Sequence, residues 1–205
     1  MGAVSAHDRT LPRGDEARPP GGGRLWVVDG YAITDMTETV SAVLAIIVAI
    51  GTVAVAGLWI AGRRDLLAPV VEMRATLTLL IAAGATAGSL YFSEVANYVP
   101  CRLCWFQRIA MYPLVVIGLV GMLRRDRGAR WYALPIAAVG ALISSWHYTI
   151  EWRPSLEGGT CSATGPACAD IWFRSFGFAT LAFMALVAFV ALIVINALPE
   201  MEDPS

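Results

Sequence analysis

The sequence predicts an all-α integral membrane protein, a four-helix transmembrane bundle with one additional N-terminal transmembrane helix. The chain of 205 residues is 57% hydrophobic and only 15% charged, whereas soluble domains carry roughly 25% charged residues. The uncharged residues also come in long blocks, and a helix needs about 20 apolar residues to cross a bilayer. A net charge of −1 gives no indication of a nucleic-acid partner.

Five uncharged blocks are candidates for membrane-spanning helices. Four of them, at 39–62, 75–93, 131–150 and 175–199, are long enough to span a bilayer. The block at 109–123 is shorter, but apolar character begins at Leu103, so the block spans if the head of Arg108 reaches the interface. Because lipid offers no hydrogen bonds to the backbone, all five blocks are expected to be helical.

These blocks predict four parts of the chain and an orientation. We expect a flexible extracytoplasmic tail at 1–38, the additional helix at 39–62, the four-helix core at 70–198 and a cytoplasmic tail at 199–205. Arginines are concentrated in the linkers after the first and third spans, and such linkers stay in the cytoplasm. The prediction is a multi-pass plasma-membrane protein with its N-terminus outside and its C-terminus inside.

Small residues are dense in two of the blocks, at 82–89 and at 137–141. They either let neighbouring helices approach closely or reflect the ordinary composition of membrane spans. The sequence leaves both interpretations open.

All four cysteines fall in the two outer linkers, on the oxidising side of the membrane. They could staple the loops, bind zinc or exchange electrons. Zinc is the weakest interpretation, because Cys161 and Cys168 are widely spaced and no histidine is near either pair in the sequence. We therefore predict no metal.

A structural disulfide suits Cys161 and Cys168. A disulfide between Cys101 and Cys104 would close too short a loop to gain much stability. Cysteine pairs with this spacing more often take part in thiol–disulfide exchange.

Arg108 strengthens the redox interpretation. If a helix begins near Leu103, Cys104 lies in its first turn, where the helix N-terminus favours a thiolate. Arg108 follows four residues later on the same face, so its cation would favour that thiolate further. The alternative is that Arg108 is only an interfacial anchor.

The stretch "PCRLCWFQRIAMYPL" resembles the signature of the DsbB/BdbC family of disulfide-bond formation membrane proteins. "GSLYFSEVANYVP" and "SSWHYTIE" are also similar to that family, and the resemblance covers about residues 75–195. It implies a DsbB-like four-helix core that acts as a thiol:quinone oxidoreductase in protein folding. Such an enzyme reoxidises an extracytoplasmic thioredoxin-fold thiol oxidase (DsbA/BdbD-like) and passes the electrons to menaquinone or ubiquinone.

The resemblance also implies roles for individual residues. Cys101 and Cys104 match the quinone-side pair, with Cys104 as the thiolate that engages the quinone. Arg108 matches the arginine that polarises a quinone carbonyl. Cys161 and Cys168 match the loop pair that meets the partner, and Cys161 would be attacked first.

Two more residues are candidates with open alternatives. His147, near the outer end of its span, could donate to the quinone or could be an interfacial histidine that bonds to backbone. Gln107 could also line the site. The chain departs from the family pattern in its additional span at 39–62 and in its short outer loop between Glu151 and Asp170.

Two alternative functions are considered. One is a quinone reductase similar to vitamin K epoxide reductase, in which the loop pair precedes the Cys-x-x-Cys; the order here is the reverse. The other is a non-catalytic membrane scaffold whose outer loops are stapled by two disulfides.

Overall fold

A computed structural model describes residues 24–158 and 166–200, with side chains from residue 32 onward. Six α-helices follow one another: α1 (Arg24–Ile60), α2 (Arg64–Glu72), α3 (Arg74–Leu90), α4 (Arg102–Arg124), α5 (Ala129–Trp152) and α6 (Leu181–Ala197). A π-helical turn at Tyr91–Val95 extends α3, and a 3₁₀ turn lies at Pro154–Leu156. The described residues contain no β-strand, only an isolated bridge between Ser175 and Ala179. Two units are distinguished, with the division after Asp35.

Helix α1 begins at Arg24, earlier than the start at residue 39 that the charge pattern indicated. Arg24 directly follows the "RPPGGG" stretch. Proline and glycine are the two poorest helix formers, and residues 24–38 contain only one of them, a single glycine. The scattered charges therefore did not prevent helix formation. Residues 1–23 of the expected tail lie outside the described residues.

The helices have the lengths that a membrane protein requires. Ala32–Ile60, Arg74–Val95, Arg102–Arg124 and Ala129–Trp152 are long and apolar enough to cross a membrane. Leu181–Ala197 is apolar over 17 residues, about 25 Å at the rise of an α-helix. Helices α3 to α6 form the bundle, in which α3 packs on α4, α4 on α5, α5 on α6 and α6 on α3. The predicted class, a four-helix bundle with an additional N-terminal helix, is confirmed.

The two runs of small residues differ in how closely other helices pack against them. In the run at 137–141, a Cβ on Gly140 would lie 2.2 Å from a ring carbon of Phe189, so α5 and α6 approach this closely only because residue 140 is glycine. In the run at 82–89, Cβ atoms on Gly84 and Gly88 would meet nothing within 4 Å. Both of these glycines line a large cavity.

Arginine side chains close one end of the bundle. Arg74, at the start of α3, donates hydrogen bonds to Glu200 and to the Leu198 carbonyl, each at 2.7 Å. Arg130, at the start of α5, donates to the same carbonyl at 3.1 Å. The opposite end of the bundle therefore carries the end of α3, the start of α4 and the end of α5, which is where the candidate site lies.

Candidate redox site

Cys101 caps the N-terminus of α4. It has φ −73° and ψ 173°, the extended conformation that is typical of an N-cap residue. Its sulfur accepts a hydrogen bond from the Cys104 backbone N–H at 3.3 Å, and the Cys101 and Cys104 sulfurs are 2.9 Å apart. Both residues are free thiols in the structure. The start of α4 thus holds the two sulfurs in contact.

Contacts within the reduced pair favour a thiolate at Cys101, and the thiolate expected at Cys104 stays a prediction. The pKa of Cys101 falls from 9.0 to about 4, chiefly because the Cys104 thiol donates a hydrogen bond to its sulfur; contact with His147 lowers the pKa further, and burial opposes both effects. Helix α4 begins at Arg102, next to the expected start near Leu103, so Cys104 lies in its first turn as expected and Cys101 takes the cap position, where the helix N-terminus also stabilises negative charge.

His147 joins both cysteine pairs. Its Nε2 atom lies 3.7 Å from the Cys101 sulfur and 3.2 Å from the Cys168 carbonyl oxygen. A carbonyl can only accept, so Nε2 carries the proton and donates it. The other ring nitrogen, Nδ1, is 3.3 Å from the Gln107 amide nitrogen and accepts from it. These contacts fix the tautomer and the orientation of the ring.

Of the second cysteine pair, only Cys168 is among the described residues. This residue is disulfide-bonded and fully buried. Its backbone N–H donates to a Glu157 carboxylate oxygen at 2.7 Å, which anchors the loop after α5. Cys161 lies outside the described residues.

Buried polar contacts at the end of α5 connect the site to α6. The Thr180 hydroxyl donates to the Glu151 carboxylate at 2.6 Å and accepts from the Phe183 N–H at 3.2 Å, so it also caps α6. Glu151 also lines a small cavity beside the two thiols. This cap fixes where α6 begins relative to the thiols.

Arg108 is buried inside the bundle, and its position relative to the membrane interface stays a prediction. Its Nε atom donates to the Ser89 hydroxyl at 2.9 Å, and its Nη2 atom donates to the Ser89 carbonyl at 3.0 Å. The guanidinium also lies 5.2 Å from the centre of the Trp105 ring. Because α3 provides these acceptors, the charge is tolerated at this depth.

Two cavities meet at Cys104. The larger, about 440 Å³, lies among α1, α3, α4 and α6; its walls are mainly apolar, and its polar residues include Ser89, Gln107 and Arg108. The smaller, about 20 Å³, is lined by Cys101, His147 and Glu151. Cys104 lines both cavities, whereas His147 lines only the small one.

The fold also creates a set of possible metal ligands. The Cys101 and Cys104 sulfurs and a His147 ring nitrogen all lie within 4.8 Å of one another. The premise that no histidine lies near either cysteine pair is therefore wrong in three dimensions, because α5 brings His147 beside α4. Thiolate and imidazole ligands suit zinc, but these two cysteines are available to it only while both are reduced. The absence of a metal stays a prediction.

Sequence reasoning missed three polar residues of the site: Ser89, Glu151 and Thr180. Each contacts a partner far along the chain, and no local spacing reveals such a contact. Ser89 and Glu151 do carry a signal, because each is a polar residue within or at the end of an apolar span, where polar side chains usually have a functional or pairing role.

Comparisons with known proteins agree on one family. The family model described as "Disulfide bond formation protein DsbB" matches residues 72–198. Disulfide bond formation protein C of Bacillus subtilis is 41% identical over 123 residues, which cover 60% of this chain and 89% of the relative. A probable disulfide formation protein of Oceanobacillus iheyensis is 44% identical over 116 residues, covering 56% of this chain and 79% of the relative.

A third relative gives the same result. The probable disulfide formation protein C of Halalkalibacterium halodurans is 41% identical over 119 residues, 58% of this chain and 87% of the relative. No solved structure matches the chain. The matched region contains all four cysteines, Arg108 and His147, and it leaves α1 outside. On this match, the chain belongs to the DsbB family of disulfide bond formation proteins.

Proposed function

We propose that this protein is a membrane thiol:quinone oxidoreductase that reoxidises an extracytoplasmic thioredoxin-fold thiol oxidase. Family membership and the apolar helices support the coarser part of this proposal, disulfide formation at a membrane. The finer part rests on one observation: Cys104 lines both the small cavity of the thiol cluster and the large apolar cavity. The same sulfur is thus accessible to the thiols on one side and to an apolar electron acceptor on the other.

The large cavity fits a quinone. Its volume of about 440 Å³ is within the usual range for ligand sites, roughly 300–1,000 Å³. The two bonds from Arg108 to Ser89 use Nε and Nη2, and a guanidinium has five N–H donors, so donors remain for a carbonyl oxygen. Gln107 lines the same cavity. Menaquinone or ubiquinone, when bound, would supply an acceptor for two electrons and two protons.

The thiol steps are two disulfide exchanges. A thiolate of the reduced partner attacks Cys161 in a Cys161–Cys168 disulfide, and the partner's second thiolate resolves the mixed disulfide. The partner leaves oxidised, and the loop pair becomes a dithiol. That dithiol then reduces a Cys101–Cys104 disulfide in the same way. Each exchange breaks one S–S bond and forms another. Two electrons and two protons thereby pass from the partner to the loop pair, and then from the loop pair to Cys101 and Cys104.

Cys101 and Cys104, here called the inner pair, complete the cycle. The Cys101–Cys104 dithiol gives up two electrons and two protons at the large cavity, and its disulfide forms again. Cys104 is the sulfur that faces this cavity. Arg108 holds positive charge beside the acceptor, and Gln107 connects the cavity to His147 through its amide.

His147 acts on the thiol side in this proposal and does not bind the quinone. It does not line the large cavity, and its Nε2–H donates to the Cys168 carbonyl while facing the Cys101 sulfur. The ring therefore keeps the Cys168 segment against the inner pair. We regard it as a positioning residue for transfer between the two pairs.

The proposed orientation places the thiol end outside the cell. Arg74 and Arg130 lie at the other end of the bundle, together with Glu200 after α6. Arginine-rich ends of spans stay in the cytoplasm. The thiol cluster then faces the oxidising compartment, and the C-terminus is cytoplasmic.

An anaerobic turnover assay tests the function. The purified protein is mixed with a reduced thioredoxin-fold thiol oxidase and a short-chain quinone, and quinol formation is followed. We expect one quinol per partner disulfide, no quinol with Cys104→Ser, and strong loss with Arg108→Ala but not with Arg124→Ala, which removes an arginine at the other end of α4. A non-catalytic scaffold would produce no quinol with any variant, wild type included.

A trapping experiment tests the order of the thiol steps. A partner whose second cysteine is changed to serine cannot resolve the mixed disulfide, so it should accumulate a disulfide to Cys161 of this protein, which mass spectrometry of the complex identifies. A mixed disulfide that forms instead through Cys101 or Cys104 would contradict the proposed order.

A further inference from the structure

We propose that α1, which is absent from the family match, forms a wall of the acceptor cavity and helps to bind the quinone tail; this rests on the proposed function. Ser41, Leu44, Ala45 and Val48 of α1 line the large cavity. Their spacing of three, four and seven residues places them on one face of the helix. The family model begins only at residue 72. The additional helix therefore supplies part of a site whose remaining walls belong to the matched core.

Contacts hold this part of α1 to the core. The Tyr98 hydroxyl donates a hydrogen bond to the Glu38 carboxylate, close to the start of the lining face. Ala42 is fully buried and Ala45 nearly so. Large side chains are exposed along the whole helix, with Leu44 at 56%, Ile50 at 65% and Val53 at 72%. This segment is therefore held by the Glu38–Tyr98 hydrogen bond and by small buried alanines.

Tyr98 connects α1 to the thiol end of the cavity. Its ring stacks on Trp172 with centroids 4.8 Å apart and on Phe92 with centroids 5.8 Å apart. All three rings line the cavity. Asn97, which precedes Tyr98, has φ +59°, a left-handed conformation that asparagine tolerates. This turn directs Tyr98 back onto the bundle, where its backbone N–H donates to the Phe92 carbonyl.

The chemistry of the α1 face indicates what it binds. Three of its four lining residues are apolar, and the only polar one is Ser41. The groups suited to a quinone ring, Arg108 and Gln107, are on α4. We therefore assign α1 to the isoprenoid tail, with α4 at the ring. A wall on this side also limits the route by which a tailed quinone enters from the lipid.

Direct binding to the full-length protein in lipid nanodiscs tests this assignment. The probe is a quinone with a decyl side chain, and its binding is measured through the quenching of tryptophan fluorescence. Ala45→Trp fills the cavity from the α1 side and should weaken binding at least tenfold. Glu38→Ala removes the acceptor for Tyr98 without altering a lining residue and should weaken binding about two- to tenfold, the range of one hydrogen bond. The matched control Val53→Trp, on the exposed part of α1, should leave binding unchanged.

Photolabelling provides a second readout that does not depend on activity or on a substitution. A decyl quinone with an azide at the end of its tail should label the tryptic peptide at 25–63. Label confined to the core peptides, together with unchanged binding in Ala45→Trp and Glu38→Ala, would overturn the role of α1. If instead binding were insensitive to Arg108→Ala, the proposed function itself would fail, because the ring would not be held at α4.

Discussion

The hydrogen bond between the Cys104 thiol and the Cys101 sulfur is expected to control the acidity of the inner pair. In the reduced protein this bond is the largest cause of the low pKa of Cys101, about 4 against 9.0 for an ordinary thiol. A hydrogen bond to a charged group contributes about 1.5–3 kcal/mol, and one pKa unit corresponds to about 1.4 kcal/mol. Removing the donor with Cys104→Ala should therefore raise the pKa of Cys101 by about one to two. Cys104→Ser keeps a donor and should raise it less.

The pKa is measured by titrating the ultraviolet absorbance of the thiolate, with Cys101→Ser as the blank. Because the folded pKa lies below 9.0, ionisation of Cys101 stabilises the folded reduced state fully above pH 9, and this contribution declines as the pH falls toward about 4. Thermal unfolding of the reduced protein should show that dependence. Equal pKa values for Cys101 in Cys104→Ala and in the reduced wild type would refute the assigned cause.

Three further predictions concern other contacts of the site and bundle. Arg108→Lys keeps the charge but cannot form the paired bonds to Ser89, so quinone affinity should fall about tenfold; unchanged affinity in a binding titration would contradict this. His147→Phe should slow electron transfer between the cysteine pairs about tenfold without changing quinone affinity, as rapid-quench thiol trapping can show. Gly140→Ala should lower stability by about 1–3 kcal/mol in denaturant titration, whereas the control Gly57→Ala should not.

Much of the fold could be predicted because membrane helices leave a strong local signal. Uncharged blocks identified the spans, and the Cys-x-x-Cys followed by Arg108 predicted a redox site that stays a prediction. Helix ends were harder to place. The start of α1 was missed because charged residues near Arg24 were taken as tail. The start of α4 was predicted to within a residue, and the N-cap role of Cys101 was not predicted.

Contacts between distant parts of the chain could not be predicted. Ser89 binds Arg108 because α3 and α4 pack together, and Glu38 reaches Tyr98 because α1 lies on the core. No spacing in a single sequence records either contact. The proximity of His147 to Cys101 has the same origin, since α5 supplies the histidine.

Single-turnover oxidation of the inner pair tests the central claim most directly. The fully reduced protein, with Cys161 and Cys168 changed to serine, is mixed anaerobically with a short-chain quinone, and thiols and quinol are counted. One Cys101–Cys104 disulfide should form for each quinol produced, and Cys104→Ser in the same background should produce neither. Quinol formation that persists without the Cys104 sulfur would show that this residue does not connect the thiols to the acceptor.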